Sequence, residues 1–100
     1  MAMYLISDVT VRDPEVFEAY RNRAALSIAK FGGRYLIRGG AVTVLEGERH
    51  PTMLVVVEFP DRATAEAWYA SAEYGEALKY RDEGLSRSLV LVDGVSGGVL

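Results

Sequence analysis

Arg38 closes a run of extended-type residues, Arg34 to Arg38, immediately before Gly39-Gly40. Two residues without side chains let a ligand or another backbone come close, and a guanidinium offers a planar fork of donors suited to a carboxylate or an enolate oxygen. Glu58 and Asp8 are carboxylates inside otherwise apolar segments. An apolar wall disfavours the charged carboxylate and raises its pKa, which a general base requires. The three residues thus outline a catalytic group in which Arg38 stabilises an enolate while Glu58 or Asp8 moves a proton. They also make a structural set, because a buried arginine and buried carboxylates neutralise one another. The two readings separate on geometry: Arg38 is either engaged by carboxylates or faces an open, apolar cleft.

Tyr20, Trp68, Tyr69 and Tyr74, with Tyr80, make the helical segments aromatic. Such side chains can wall a pocket for a flat apolar ligand, and at helical spacing they also serve as core. Arg81 follows on the same stretch and either aims a second cation at this ligand site or lays its stem along the surface. His50, between Arg49 and Pro51 in a polar turn, is the single histidine and reads as a turn residue rather than a base. With no cysteine in the chain, thiolate chemistry and disulfides are excluded, and no metal site is expected. No phosphate loop, nucleophile elbow or dinucleotide fingerprint is present.

The elements that must position these residues follow from spacing. Met3 to Val11 alternates as a strand with Met3, Leu5, Val9 and Val11 on one face and Tyr4, Ile6, Asp8 and Thr10 on the other. Asp13-Pro14 starts a helix, carried by Phe17, Tyr20, Ala24, Ile28 and Phe31 and stopped at Gly32-Gly33. Arg34 to Arg38 is a second strand, bent or bulged at Gly39-Gly40 and continued in extended form over Ala41 to Leu45. After a polar turn, Thr52 to Phe59 carries the uninterrupted run Met53 to Val57, suited to a central strand covered on both faces. Pro60-Asp61 opens a helix with Ala65 and Trp68, Ser71 caps a further segment with Tyr74, Ala77 and Leu78, and Gly84 ends it. Ser88 to Val92 is the last strand.

The order is βαββαβ, an α+β, ferredoxin-like arrangement in which right-handed crossovers give a four-stranded antiparallel sheet with the helices on one face. The other face carries valine and leucine and is expected to meet a second copy, making a homodimer through the sheet face. At 100 residues, half of them hydrophobic, the chain reads as one domain over residues 1–95 followed by a loose tail over 96–100. A net charge of −3, with 11 basic residues dispersed along the chain, provides no footprint for nucleic acid or anionic lipid. The first residues form no signal sequence and no apolar run approaches a membrane span, so a cytoplasmic location is expected, with no nucleic acid and no membrane among the partners.

One likeness stands on named residues: Tyr35-Leu36-Ile37-Arg38-Gly39-Gly40, Val44-Leu45-Glu46-Gly47, Val57-Glu58-Phe59-Pro60 and Ala67-Trp68-Tyr69 with Ser71, Glu73 and Tyr74, together with Asp13-Pro14 and Gly32-Gly33-Arg34. In these the chain, from about Met3 to Val95, resembles the bacterial domain-of-unknown-function family 1330 of the dimeric α+β barrel superfamily. The resemblance implies the ferredoxin-like fold and two sheets packed into a barrel, and it supplies no activity. The wider superfamily includes cofactor-free monooxygenases and isomerases. Two functions stand on these grounds: an enzyme of isomerase or monooxygenase type, needing no cofactor and acting on a small organic or aromatic molecule, or a non-catalytic dimer that binds a ligand or partner.

Overall fold

Strand alternation sorts the residues of this chain onto two surfaces, and helices cover only one of them. The computed structural model describes residues 2–95 and runs β1 (Met3–Val11), α1 (Pro14–Lys30), β2 (Arg34–Arg38), β3 (Met53–Phe59), α2 (Arg62–Tyr69), α3 (Ala72–Leu78), α4 (Arg81–Gly84) and β4 (Leu85–Asp93). The strands form one antiparallel sheet in the order β2-β3-β1-β4. This is the ferredoxin-like α+β fold. The expected tail from Ser96 lies outside the described residues.

Helices α1, α2 and α3 each begin where a side chain can accept the orphan N–H groups of a first turn, whereas the short α4 has no side-chain cap. The Asp13 carboxylate accepts the N–H groups of Glu15 and Val16 at 3.0 and 3.3 Å, Asp61 accepts that of Thr64 at 2.7 Å, and Ser71 Oγ accepts that of Tyr74 at 3.1 Å. Helix α1 ends at Gly32, whose φ of 76° is open to glycine at no steric cost.

The helix-covered face takes Met3, Leu5, Ser7 and Val9 from β1, with Val57 and Phe59 from β3 and Leu85 from β4. Trp68 and Tyr74 are fully buried above it, their rings 4.1 Å apart, with Phe59 5.4 Å from Trp68. The Trp68 indole N–H finds Ser27 Oγ at 2.9 Å, so the largest core side chain leaves no donor unpaired.

The open face carries Tyr4, Ile6 and Asp8, aligned in register with Glu58, Val56 and Leu54 of β3 and with Val92, Val90 and Ser88 of β4. No helix covers it, and Ile37, Val90 and Val92 are exposed there. The run Met53 to Val57, expected to be covered on both faces, is covered on one within this chain. Residues 41–45, expected to continue in extended form from β2, carry no strand assignment. They lie beyond the stretch that pairs with β3, and an extended segment without a ladder has nowhere to place its backbone hydrogen bonds within this chain. Leu45 is 93% exposed. Strand β4 begins at Leu85, three residues before the expected Ser88, because its ladder with β1 continues to the Val11–Leu85 pair. Among the described residues no helix is long and apolar enough to cross a membrane.

Gly84 holds the last helical turn against the start of α1. A Cβ there would come within 3.0 Å of Phe17 N and 3.1 Å of the Val16 carbonyl carbon, both of them backbone atoms that cannot turn aside. Gly84→Ala is therefore expected to lower stability by about 1–3 kcal/mol, the usual cost of overpacking, and to appear as a fall of several degrees in Tm. An unchanged denaturation midpoint would show that the two segments are not in this contact.

Candidate functional site

Between α1, α2 and the covered face of the sheet lies a cavity of about 120 Å³. That is comparable to the ~150 Å³ engineered cavity that accepts benzene, so the space fits about one ring. Leucine, valine and aromatic side chains make most of the wall, with Tyr20 and Trp68 from the helices and Tyr35 from β2. Three guanidinium groups complete it: Arg21, Arg38 and Arg87. No carboxylate is among the lining residues.

Arg38 reaches this wall through an irregularity in β2. Tyr35 is aligned with Val57 and Arg38 with Val55, while Ile37 is aligned with Val56, so the register shifts around Leu36. With strict alternation Tyr35 and Arg38 would lie on opposite faces. The bulge puts both on the helix side, where the Arg38 guanidinium stacks 4.5 Å from the centre of the Tyr35 ring. Burial raises the pKa of the Tyr35 phenol even beside this cation.

Arg87 enters from β4, in phase with Leu85, Leu89 and Leu91. It donates to the Tyr20 hydroxyl, and Tyr20 shares a second hydrogen bond with Tyr74, oxygen to oxygen 2.7 Å. The guanidinium carbon lies 5.3 Å from the centre of the Tyr20 ring and 5.7 Å from that of Tyr74. Burial works against the charge of Arg87, but the two phenol oxygens outweigh it and leave its pKa raised. Tyr74 is pushed upward first by burial and then by Tyr20, far above the ordinary phenol value of 10.0. Arg21 sits one residue beyond Tyr20, bridges Glu18 at 2.9 Å and keeps its Nε buried without an acceptor among the described residues.

The proposed catalytic trio does not assemble. Glu58 and Asp8 stand on the open face, across the sheet from Arg38, and each has another partner there. Arg34 Nε donates to Glu58 at 2.7 Å, with Tyr4 at 3.1 Å, and Arg49 meets Asp8 at 2.9 Å. Arg34 first and Tyr4 second hold the Glu58 carboxyl below its ordinary range, the opposite of the raised value a general base would need. Arg38 makes no ion pair among the described residues. Of the expected ligand-binding group, Tyr20 and Trp68 line the cavity and Tyr74 lies behind Tyr20. Tyr69 and Arg81 line a separate groove beyond β4. Arg21 and Arg87 were absent from the sequence expectation. Arg87 was findable, since it occupies a core-phase position among the leucines of β4. Arg21 follows Phe17 by four residues on the flank of the apolar stripe of α1. Among the described residues no cluster of histidine and carboxylate side chains is arranged to hold a metal.

Residues 2–95 match the family model described as a domain of unknown function, DUF1330. No curated protein matches the chain. Several crystal structures share its fold. RPA0582, a protein of unknown function from Rhodopseudomonas palustris, is 18% identical with a TM-score of 0.78 over 95% of this chain and 83% of its own. SnoaB, a cofactor-independent oxygenase from Streptomyces nogalater, is 15% identical with a TM-score of 0.63 over 97% and 96%. A dimeric protein of unknown function and ferredoxin-like fold from Bacteroides fragilis is 17% identical with a TM-score of 0.61 over 93% and 96%. At these identities the likeness establishes the fold alone.

The network around Tyr74 has a consequence at alkaline pH. A phenol whose folded pKa lies above its unfolded value stabilises the fold fully below pH 10, and that contribution fades as pH rises beyond it. Absorbance titration is expected to show Tyr4, Tyr35 and Tyr74 resisting ionisation at pH 10, with stability falling above it and falling less steeply in Tyr74→Phe. Ionisation of all six tyrosines together near pH 10 in the folded protein would contradict the network.

Proposed function

The chain belongs to the DUF1330 family, and from that premise we propose that its cavity binds a one-ring organic acid, or an enolisable or phenolic compound, in its anionic form. The observation that carries this is the imbalance of charge: Arg38 and Arg87 line a largely apolar cavity with no carboxylate in its wall and no ion-pair partner among the described residues. A cation in such a wall attracts an anion more strongly than it would in water and lowers the pKa of a weak acid bound beside it.

An enolate or phenolate held this way is the reactive form for two chemistries that need no added cofactor. Returning the proton to a different atom is an isomerisation. Electron transfer from the anion to dioxygen begins an oxygenation in which the substrate itself is the reductant: a CH2 group and O2 give a C=O group and water. The cofactor-independent oxygenase among the structural relatives supports the second class. The Tyr20–Tyr74 hydroxyl pair beside Arg87 is the group through which a proton would move, and Glu58 and Asp8 have no part in it. One observation favours the non-catalytic alternative, a small-molecule-binding dimer: no carboxylate or histidine lines the cavity to act as a base. We also propose a homodimer through the open face, supported by the exposed Ile37, Val90 and Val92 and by the dimeric relative. A second copy would remove these side chains from water.

Calorimetric titration with benzoate, phenols and enolisable ring ketones is expected to find binding that Arg38→Gln weakens by about 10- to 100-fold, the worth of a charge-assisted hydrogen bond. Absence of binding by every compound would refute the cavity reading. Dioxygen uptake with a bound compound would identify the oxygenase, isomer formation the isomerase, and binding without turnover the alternative. Light scattering is expected to return twice the mass of one chain, and Val90→Lys to return a single chain.

A further inference from the structure

Beyond the cavity, on the outer side of β4, runs a groove of about 410 Å³ walled by Arg12, Tyr69, Arg81, Asp82 and Ser86. It shares Arg87 and Leu89 with the cavity, so the same two side chains face both spaces. Asp82 clips two arginines to its rim: its carbonyl accepts Arg12 Nη1 at 3.1 Å and its carboxylate accepts Arg81 Nε at 3.2 Å. That leaves the terminal nitrogens of Arg81 without a protein acceptor among the described residues. The groove therefore carries three cations against one carboxylate.

This concentration runs against the charge of the whole chain, which is −3. Arg12, Arg21, Arg38, Arg81 and Arg87 are five of its eleven basic residues, and all five line the cavity or the groove. Of the six others, Lys30, Arg34, Arg49, Arg62 and Lys79 are paired with carboxylates of other positions. Arg23 stacks on Tyr80. Of the five that face these two adjoining spaces, Arg21 bridges Glu18 and Arg81 bridges Asp82, while Arg12, Arg38 and Arg87 have no ion-pair partner among the described residues, so positive charge is left in excess there.

We propose that the groove is a second anion subsite, and that the ligand of this protein is a ring compound bearing an acidic group, carboxylate or phosphate, on a short linker. The ring occupies the cavity and the acidic group lies between Arg12 and Arg81, with Arg87 at the junction. The ring-binding half rests on the cavity reading given above. Two weak subsites joined by one linker bind more tightly than either alone, because the second contact forms at high effective concentration.

The test is an NMR titration of the full chain, following backbone amides and arginine Nε signals, with benzoate, inorganic phosphate and 2-phenylethyl phosphate as separate probes. Phosphate is expected to move Arg12, Arg81 and Ser86 in preference to Arg38. 2-Phenylethyl phosphate is expected to move both groups, to bind about tenfold or more tightly than either simple probe, and to lose most of that advantage over benzoate in Arg81→Gln. Phosphate shifts with no preference for Arg12 and Arg81, or an advantage that survives Arg81→Gln, would overturn the subsite. Benzoate in the cavity with no phosphate in the groove would overturn this inference alone. Phosphate in the groove with no benzoate in the cavity would overturn the cavity reading and keep the groove as an anion site.

Discussion

A four-stranded sheet covered by helices on one side obliges every strand residue to choose between a roofed surface and a bare one, and the charged side chains of this protein are divided by that choice. Along β1 and β3 the alternation is regular, so Asp8 and Glu58 fall together on the bare face with Ile6, Leu54 and Val56. Along β4 it is regular too, and Arg87 falls with the leucines under the helices. Only β2 departs from it, and its register shift around Leu36 carries Arg38 to the roofed side while Arg34 stays on the other, within reach of Glu58. The result is a sheet with ion pairs on its open face and unpaired cations on its covered face.

The covered cations persist because their surroundings meet part of their need for partners without neutralising them. Arg38 lies over the Tyr35 ring, and Arg87 lies between Tyr20 and Tyr74 while donating to a hydroxyl. Ring faces and neutral oxygens compensate some of the lost hydration and leave the positive charge available. A carboxylate in the same place would have closed the site as an internal ion pair. The aromatic layer thus has two tasks: Trp68, Tyr74 and Phe59 fill the core, and Tyr20 and Tyr35 face the cavity beside the cations.

Much of the architecture was legible in the residues. Asp13-Pro14, Asp61 and Ser71 announce helix starts, the glycines at 32 and 84 mark helix ends, and alternation over residues 3–11 identifies the central strand, because capping and periodicity are local and act within a few residues. The ferredoxin-like order follows from those elements and the handedness of crossovers. Of the candidate site, Arg38, Tyr20 and Trp68 were legible as residue types suited to ligand contact, and Arg87 was present in the leucine phase of β4.

What residue types alone could not give was which of these groups face one another. Strict alternation in β2 keeps Arg34 and Arg38 on one face, and so suggests Arg38 as a partner for Glu58. The register shift that separates them depends on pairing with β3, a strand that begins fifteen residues after Arg38. Arg12 and Arg81 lie far apart in the chain and meet only because Gly84 brings the last helical turn against the start of α1. Local sequence determined the elements and the chemistry each could offer. Tertiary pairing decided which charges were neutralised and which were left facing a cavity, because an ion pair requires side chains within a few ångströms of each other and the chain brings them there only through contacts distant in sequence.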